Sequence, residues 1–283
     1  MKLLPMMIAV ALFGSCASSE ASVGTPERQA RRSALRAAET FAAVLSERGD
    51  LDTLATHDVV VLDPAPYGPD DLDVLRDAGA LTLGYVNVGE VEAWRPFADR
   101  VDPAWVLGEN PNWPGHRFVD ARESGWREIV VETAARDVAR RGFDGLFLDM
   151  ADVAVVYPET ADGVVALVRE LRAAYPDLAL VINRGFPLLD RLGDALDGLL
   201  VEGVWMGPDF ATDGVRATPA EERDALLGHL LSFQRAGGAA FVIDYAQTDA
   251  QRASIRASAR RAGLPVHVGT VALGRLREGV GPE

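Results

Sequence analysis

Short aliphatic runs alternate with longer stretches in which apolar positions recur every three or four residues, and this alternation holds from about residue 40 onward. The short runs are continuous and rich in Val, Ile and Leu, as strands of a parallel sheet buried on both faces should be. They fall at residues 59–63, 81–88, 117–120, 146–149, 178–183, 199–202, 240–244 and 265–269. Residues 41–45 offer a ninth strand, in which case the numbering shifts by one and the last run closes nothing. Between the runs, residues 124–141 put Trp126, Ile129, Val130, Ala134 and Val138 on one helical face, and Gly142 supplies the stop. Thr218, Pro219, Ala220 and Glu221 read as a capping box with proline in the first turn, opening a helix that ends near Gly237 and Gly238.

Eight strand–helix units in about 230 residues match a single (β/α)8 barrel, the TIM barrel of the α/β class. A doubly wound open sheet competes with it. That architecture wants a glycine-rich phosphate loop, and neither Gly-x-Gly-x-x-Gly nor Gly-x-x-x-x-Gly-Lys occurs.

The N-terminus changes the picture of where this barrel works. Lys2, an apolar run over residues 3–13, and Gly14-Ser15 ahead of Cys16 resemble a bacterial lipoprotein signal. The run is too short to span a bilayer. The expected organisation is a signal peptide over 1–15, a tether and N-terminal helix over 16–40, and the barrel over 41–283, with Cys16 lipidated. An ordinary secretory signal cleaved nearby is the alternative, and export follows from either. Ala17 lacks the acidic character associated with retention at the inner membrane, so the expected place is the envelope of a bacterium, at the outer membrane, in the periplasm or on the cell surface.

Composition narrows the partners. Apolar residues make up 48% of the 283, enough for a sizeable core. With 42 acidic against 28 basic residues the formal charge is -14. Such a surface repels nucleic acid and anionic lipid, leaving the lipid anchor as the only expected membrane contact. A single cysteine excludes a disulfide framework, and His116, His229 and His267 fall in no ligand spacing, so neither metal nor cofactor is expected.

The strand exits carry the chemistry: Asp63, Glu90, Asp120, Asp149 with Asp152, Asn183 with Arg184, Glu202, and Asp244 with Tyr245. In a barrel all of these converge on the C-terminal rim, where active sites are built. One acidic residue after a strand is ordinarily a turn former or a helix cap; seven acidic or polar exits in one chain weaken that explanation. Clustered like charges disfavour one another's ionisation, so one carboxyl can stay protonated beside an ionised one. Paired carboxylates without a nucleophilic serine elbow point to glycosidic bond cleavage. Metal-assisted hydrolysis is the chemical alternative.

The stretches Tyr85-Val-Asn-Val-Gly-Glu-Val-Glu-Ala-Trp-Arg-Pro96, Gly142-Phe-Asp-Gly-Leu-Phe-Leu-Asp-Met-Ala-Asp152, Asn183-Arg-Gly185 and Val201-Glu-Gly203 resemble glycoside hydrolase family 114, the endo-α-1,4-polygalactosaminidases. The similarity runs from about residue 40 to about residue 270. It implies a barrel, a retaining mechanism, and Asp149 and Glu202 as the catalytic pair. Glu202, between Leu199-Leu200-Val201 and Gly203-Val204-Trp205, is expected to have a raised pKa and to act as acid/base. Asp149, in the polar company of Asp152, is expected to stay ionised as nucleophile, the reverse assignment of the two roles being the alternative. Tyr85, Trp94, Trp113, Trp205 and Tyr245 would stack on sugar, whereas Trp105 and Trp126 read as core. Arg95 and Arg184 would pair with rim carboxylates, and Gly89 would turn the chain before Glu90. An acidic rim suits a cationic polysaccharide, the expected partner. A barrel that keeps the rim but only binds glycans, or serves envelope assembly, is the alternative of a different class.

Overall fold

Eight parallel strands stand side by side in sequence order in the computed structural model, which describes residues 24–212 and 214–273. The expected signal peptide, Cys16 and the first part of the tether lie outside those residues. The strands are β1 (Phe41–Val44), β2 (Val59–Leu62), β3 (Leu81–Asn87), β4 (Gly145–Asp149), β5 (Ala179–Asn183), β6 (Gly198–Glu202), β7 (Ala239–Tyr245) and β8 (Val266–Gly269). Each hydrogen-bonds to the next, which fixes seven of the eight seams of a (β/α)8 barrel. The eighth, between β8 and β1, has no ladder. There the rings of Phe41 and His267 meet edge to face at 6.5 Å, and the Leu45 amide donates to the Leu273 carbonyl at 2.8 Å.

Residues 41–45 therefore supply the first barrel strand, and the run at 117–120 does not belong to the barrel. His116–Val119 instead forms the middle of a three-stranded antiparallel sheet with Glu90–Glu92 and Val106–Glu109, an excursion inserted between β3 and the next helix. A short aliphatic run looks alike in either setting, because periodicity does not encode which neighbour a strand will pair with. A second excursion follows β6, the hairpin of Met206–Asp209 with Gly214–Ala217.

Two other local expectations are modified. The helix over 124–141 is continuous to Gly142, whose φ of 97° ends it, but Val130–Ala135 is wound as a π-helix. The extra residue per turn rotates the face, so Val131 and Ala135 are buried with Trp126, Ile129, Val130 and Val138, while Ala134 is only partly buried. The helix after the hairpin spans Ala220–Arg235 without a capping box, since the Thr218 hydroxyl donates to the Gly203 carbonyl at 2.7 Å. That bond ties the helix start to the end of β6 instead.

Strand parity sorts the core into two parts. Phe41, Ala43, Val59, Val61, Leu81, Leu83, Phe147, Val181, Leu200, Phe241 and Ile243 fill the barrel interior. Their neighbours one position away, such as Ala42, Val60, Leu148, Ile182 and Val201, pack outward under the helices. The bottom is covered by the N-terminal helix Pro26–Ala37, capped by the Thr25 hydroxyl, with Leu35 joining the interior cluster. Arg28 on this helix reaches Asp197 Oδ1 at 2.9 Å, while Arg172 and the Leu180 amide hold Oδ2 at 2.7 and 3.0 Å. Asp197 is fully buried at the foot of β6, so both guanidinium groups depend on it.

Candidate active site

Inward parity continued to the tops of the strands selects Asp63 after β2, Tyr85 on β3, Asp149 on β4, Asn183 on β5, Glu202 on β6 and Tyr245 on β7. All six line one cavity of about 1060 Å³ above the barrel core. At its floor Asn183 Nδ2 donates to Asp149 Oδ1 at 2.9 Å and to Glu202 Oε1 at 2.6 Å. Sharing one nitrogen, those two oxygens lie at most about 5.5 Å apart, the two bond lengths laid end to end. A tyrosine closes each side: the Tyr245 hydroxyl donates to Glu202 Oε2, and the Tyr85 hydroxyl bonds Asp149. Burial raises both phenols well above their usual range, so both remain donors.

The chain after Asp149 is bent to serve it. Met150 has a φ of 61°, which brings its amide back to Asp149 Oδ1 at 2.8 Å. Arg184 (φ 54°) follows Asn183 in the same left-handed conformation and donates from Nη2 to the Glu202 carbonyl at 2.6 Å. Such conformations cost a non-glycine residue on the order of 1–3 kcal/mol each. The third, Leu273 (φ 47°), also lines the cavity, so the strained backbone among the described residues is confined to this site. Gly89 is needed for a close approach rather than a turn, because a Cβ there would meet the Met150 carbonyl at 2.2 Å.

Burial, and next the Glu202 carboxylate, push Asp149 up to about 6, against the pull of Asn183, the Met150 amide and Tyr85. Polar company therefore does not hold Asp149 low, although a carboxyl raised to about 6 is still mainly ionised at neutral pH. Desolvation at the barrel mouth outweighs its donors. Asp152 is raised as well, first by burial; its Oδ1 accepts from the Gly185 amide at 3.0 Å.

The expected pairing of Arg95 with rim carboxylates is found at Asp63 (2.9 Å) and Glu92 (3.2 Å), with its guanidinium 5.3 Å from the Tyr85 ring centre. Glu90 lines the cavity fully buried, held by Asn110 Nδ2 at 2.6 Å and His116 Nδ1 at 3.0 Å. Trp94, Trp113, Asp152 and Arg184 also line it.

Three residues expected at the site are elsewhere. Asp120 follows the His116–Val119 strand of the excursion sheet, pairs with Arg122 at 2.7 Å and accepts the Arg122 amide, which makes it a turn former. Asp244 has outward parity on β7. It is fully buried, pushed up to about 7 by that burial, and accepts the amides of Trp205 and Met206 at 2.9 Å each. It thus clamps the chain leaving β6, and Trp205 packs against the core rather than facing the cavity. Asn110, His116, Glu92 and Phe210 were not expected there. The excursions deliver them, and no strand-exit pattern marks an excursion. Among the described residues no three His, Cys, Asp or Glu side chains come together to hold a metal ion.

A model of glycoside-hydrolase family GH114 matches residues 23–279. An uncharacterised protein of Deinococcus radiodurans is 26% identical over 266 residues, 87% of this chain and 85% of its own length. One of Thermotoga maritima is 26% identical over 203 residues, 63% of this chain, and the match spans 59% of that relative's length. The glycoside hydrolase domain of PelA from Pseudomonas aeruginosa superposes with a TM-score of 0.77 at 28% identity, covering 86% of this chain and 98% of that one. Ega3 of Aspergillus fumigatus, solved in complex with galactosamine, gives 0.67 at 16% identity, covering 83% and 92%, a likeness of fold.

Proposed function

The chain belongs to glycoside-hydrolase family GH114, and from that premise we propose that it is an exported glycosidase cleaving α-1,4-linked, galactosamine-rich polysaccharide with Asp149 as nucleophile and Glu202 as acid/base. The observation that carries this reading is the carboxylate pair bridged by Asn183, whose nearest described oxygens are no more than about 5.5 Å apart. A retaining pair stands about 5–5.5 Å apart, whereas an inverting pair needs roughly 6.5–9.5 Å to admit water between carboxylate and sugar. Asp149, held by Asn183, the Met150 amide and Tyr85, is oriented for attack on the anomeric carbon. Glu202 would then protonate the leaving oxygen and afterwards take a proton from the incoming water.

Charge supports the amine-bearing substrate. The cavity lining has seven carboxylates, Glu47, Asp63, Glu90, Glu92, Asp149, Asp152 and Glu202, against the guanidinium groups of Arg48, Arg95 and Arg184. Asp63 and Glu92 share the single guanidinium of Arg95, while Asp152 Oδ2 accepts no hydrogen bond among the described residues and would receive an ammonium group. Ega3, which shares the fold, was solved with galactosamine. The deciding experiment incubates the purified protein with partly deacetylated and with fully acetylated polygalactosamine and follows reducing ends. Release from the first, exceeding that from the second and weakening with salt, is expected. Binding with no new reducing ends would leave a glycan-binding barrel in place of the enzyme.

Anchoring at Cys16 belongs to the same proposal. Cys16→Ala is expected to move the protein from the membrane fraction to a soluble exported one. A wild-type protein found wholly soluble would remove the anchor while leaving export intact.

A further inference from the structure

Large apolar side chains that stay exposed on so acidic a chain need a reason, and among the described residues those are Val74, Trp94, Trp113, Val155, Val156 and Phe210. Trp94, Trp113, Val156 and Phe210 line the same cavity as the carboxylate pair. The three rings are 62%, 37% and 48% exposed, so none is needed to fill the core. They are the exposed part of that lining, whereas Asp149 and Glu202 are not exposed.

Their arrangement is built. Trp113 belongs to the excursion after β3 and Phe210 to the hairpin after β6, yet the two rings meet edge to face at 5.8 Å. Trp94 and Trp113 both lean on His116, at 5.1 and 6.2 Å between ring centres. His116 is bound to the buried carboxylate of Glu90, and Asn110 joins that carboxylate to the Asn112 amide, so the loop carrying Trp113 is held from beneath. The rings are thus presented in place before any ligand arrives, which lowers the ordering cost of binding.

We propose that Trp94, Trp113 and Phe210, seated on the Glu90–His116 pair, form a second sugar subsite that holds a unit of the polymer away from the bond being cleaved. This rests on the glycosidase reading and adds to it which residues hold the chain beyond the cleavage position. The chemistry fits a pyranose: its C–H faces stack on aromatic rings while its hydroxyl and amine groups stay at the wet periphery. The volume fits too, since about 1060 Å³ is at or beyond the upper end of sites for one small ligand, roughly 300–1,000 Å³. The rings line a concavity continuous with the pair, not a flat patch, which argues for a flexible polymer over a protein surface.

The test compares wild type with Trp113→Ala, Phe210→Ala and the double variant on long polygalactosamine and on an aryl galactosaminide that occupies only the cleavage position. Each single change should lower kcat/KM on the polymer by about 3- to 10-fold through KM, with the double variant losing more, and the loss on the aryl substrate should be several-fold smaller. Equal losses on both substrates, or none on the polymer, would overturn the subsite. Should wild type cleave neither, the glycosidase reading fails by itself. The subsite is then judged by tryptophan fluorescence titration with galactosamine oligomers, in which the double variant must bind at least about tenfold more weakly than wild type. The half-exposed rings leave melting temperature as a clean control on folding.

Discussion

Asp149→Asn and Glu202→Gln are each expected to lower kcat on polysaccharide by about 10³-fold or more, roughly 4 kcal/mol of transition-state stabilisation, while the fold remains. The melting temperature should hold or rise slightly, because either change removes one of two carboxylates whose mutual repulsion is already felt at Asp149. The two variants should differ on an aryl glycoside. A good leaving group needs little protonation, so Glu202→Gln should keep much of its first step there, whereas Asp149→Asn should not. The opposite pattern would exchange the roles, and near-normal hydrolysis by either variant would remove the pair altogether. The pH profile follows with a definite sign. The first step needs Asp149 ionised as the nucleophile, and burial together with Glu202 raises its carboxyl to about 6. Glycosylation should therefore climb as pH rises through about 6, and a kcat/KM flat from about pH 4 to about 7 would contradict Asp149 as the attacking carboxylate.

The largest effect on stability is expected at the opposite end of the barrel. Asp197→Asn removes the only carboxylate among the described residues within ion-pair distance of Arg28 and one that also binds Arg172, both largely buried. Burial already draws Arg172 down to about 10 despite Asp197's opposing pull. Both keep backbone carbonyl acceptors, but leaving two such charges without their carboxylate costs about 3–5 kcal/mol, which for a domain of this size is a fall in melting temperature of roughly 6–20 °C. Arg28→Met should cost less, because Asp197 keeps Arg172 and only the N-terminal helix loses its anchor. Thermal and urea denaturation of the two variants measure this. A change below about 1 kcal/mol in Asp197→Asn would mean that water already solvates the cluster. Activity per folded molecule should be untouched, since the cluster lies beneath the interior layers that separate it from the cavity.

How much of this was legible along the chain depended on whether the information is local. A strand's hydrophobicity and the fixed two-residue period of its side chains are local properties. They sufficed for a barrel of buried parallel strands and for the convergence of Asp149, Asn183, Glu202 and Tyr245, each two positions beyond an interior residue. The same period held a distinction that the list of strand exits ignored. Asp244 is one position out of phase with Ile243 and Tyr245, and so turns outward to clamp the chain after β6. Pairing partners are not local. Nothing in the run 117–120 says that it joins an antiparallel excursion, nor in 41–45 that it opens the barrel, because the two differ in what lies beside them and not in their own pattern.

The electrostatics of the pair also had to wait for the fold. Sequence neighbours suggested that polar company would keep Asp149 low, but a carboxylate answers to desolvation and to charges within a few ångströms in space. At the barrel mouth those are set by Glu202, Asn183 and Tyr85, which arrive on three other strands. The meeting of Trp113 with Phe210 is of the same kind, since the two rings lie on separate excursions. The chain by itself thus determined the architecture and the residues aimed at its rim. Tertiary structure decided which of them meet, how close the carboxylates come, and which of them burial raises, because distance and dielectric are properties of the folded space around a side chain rather than of its place in the sequence.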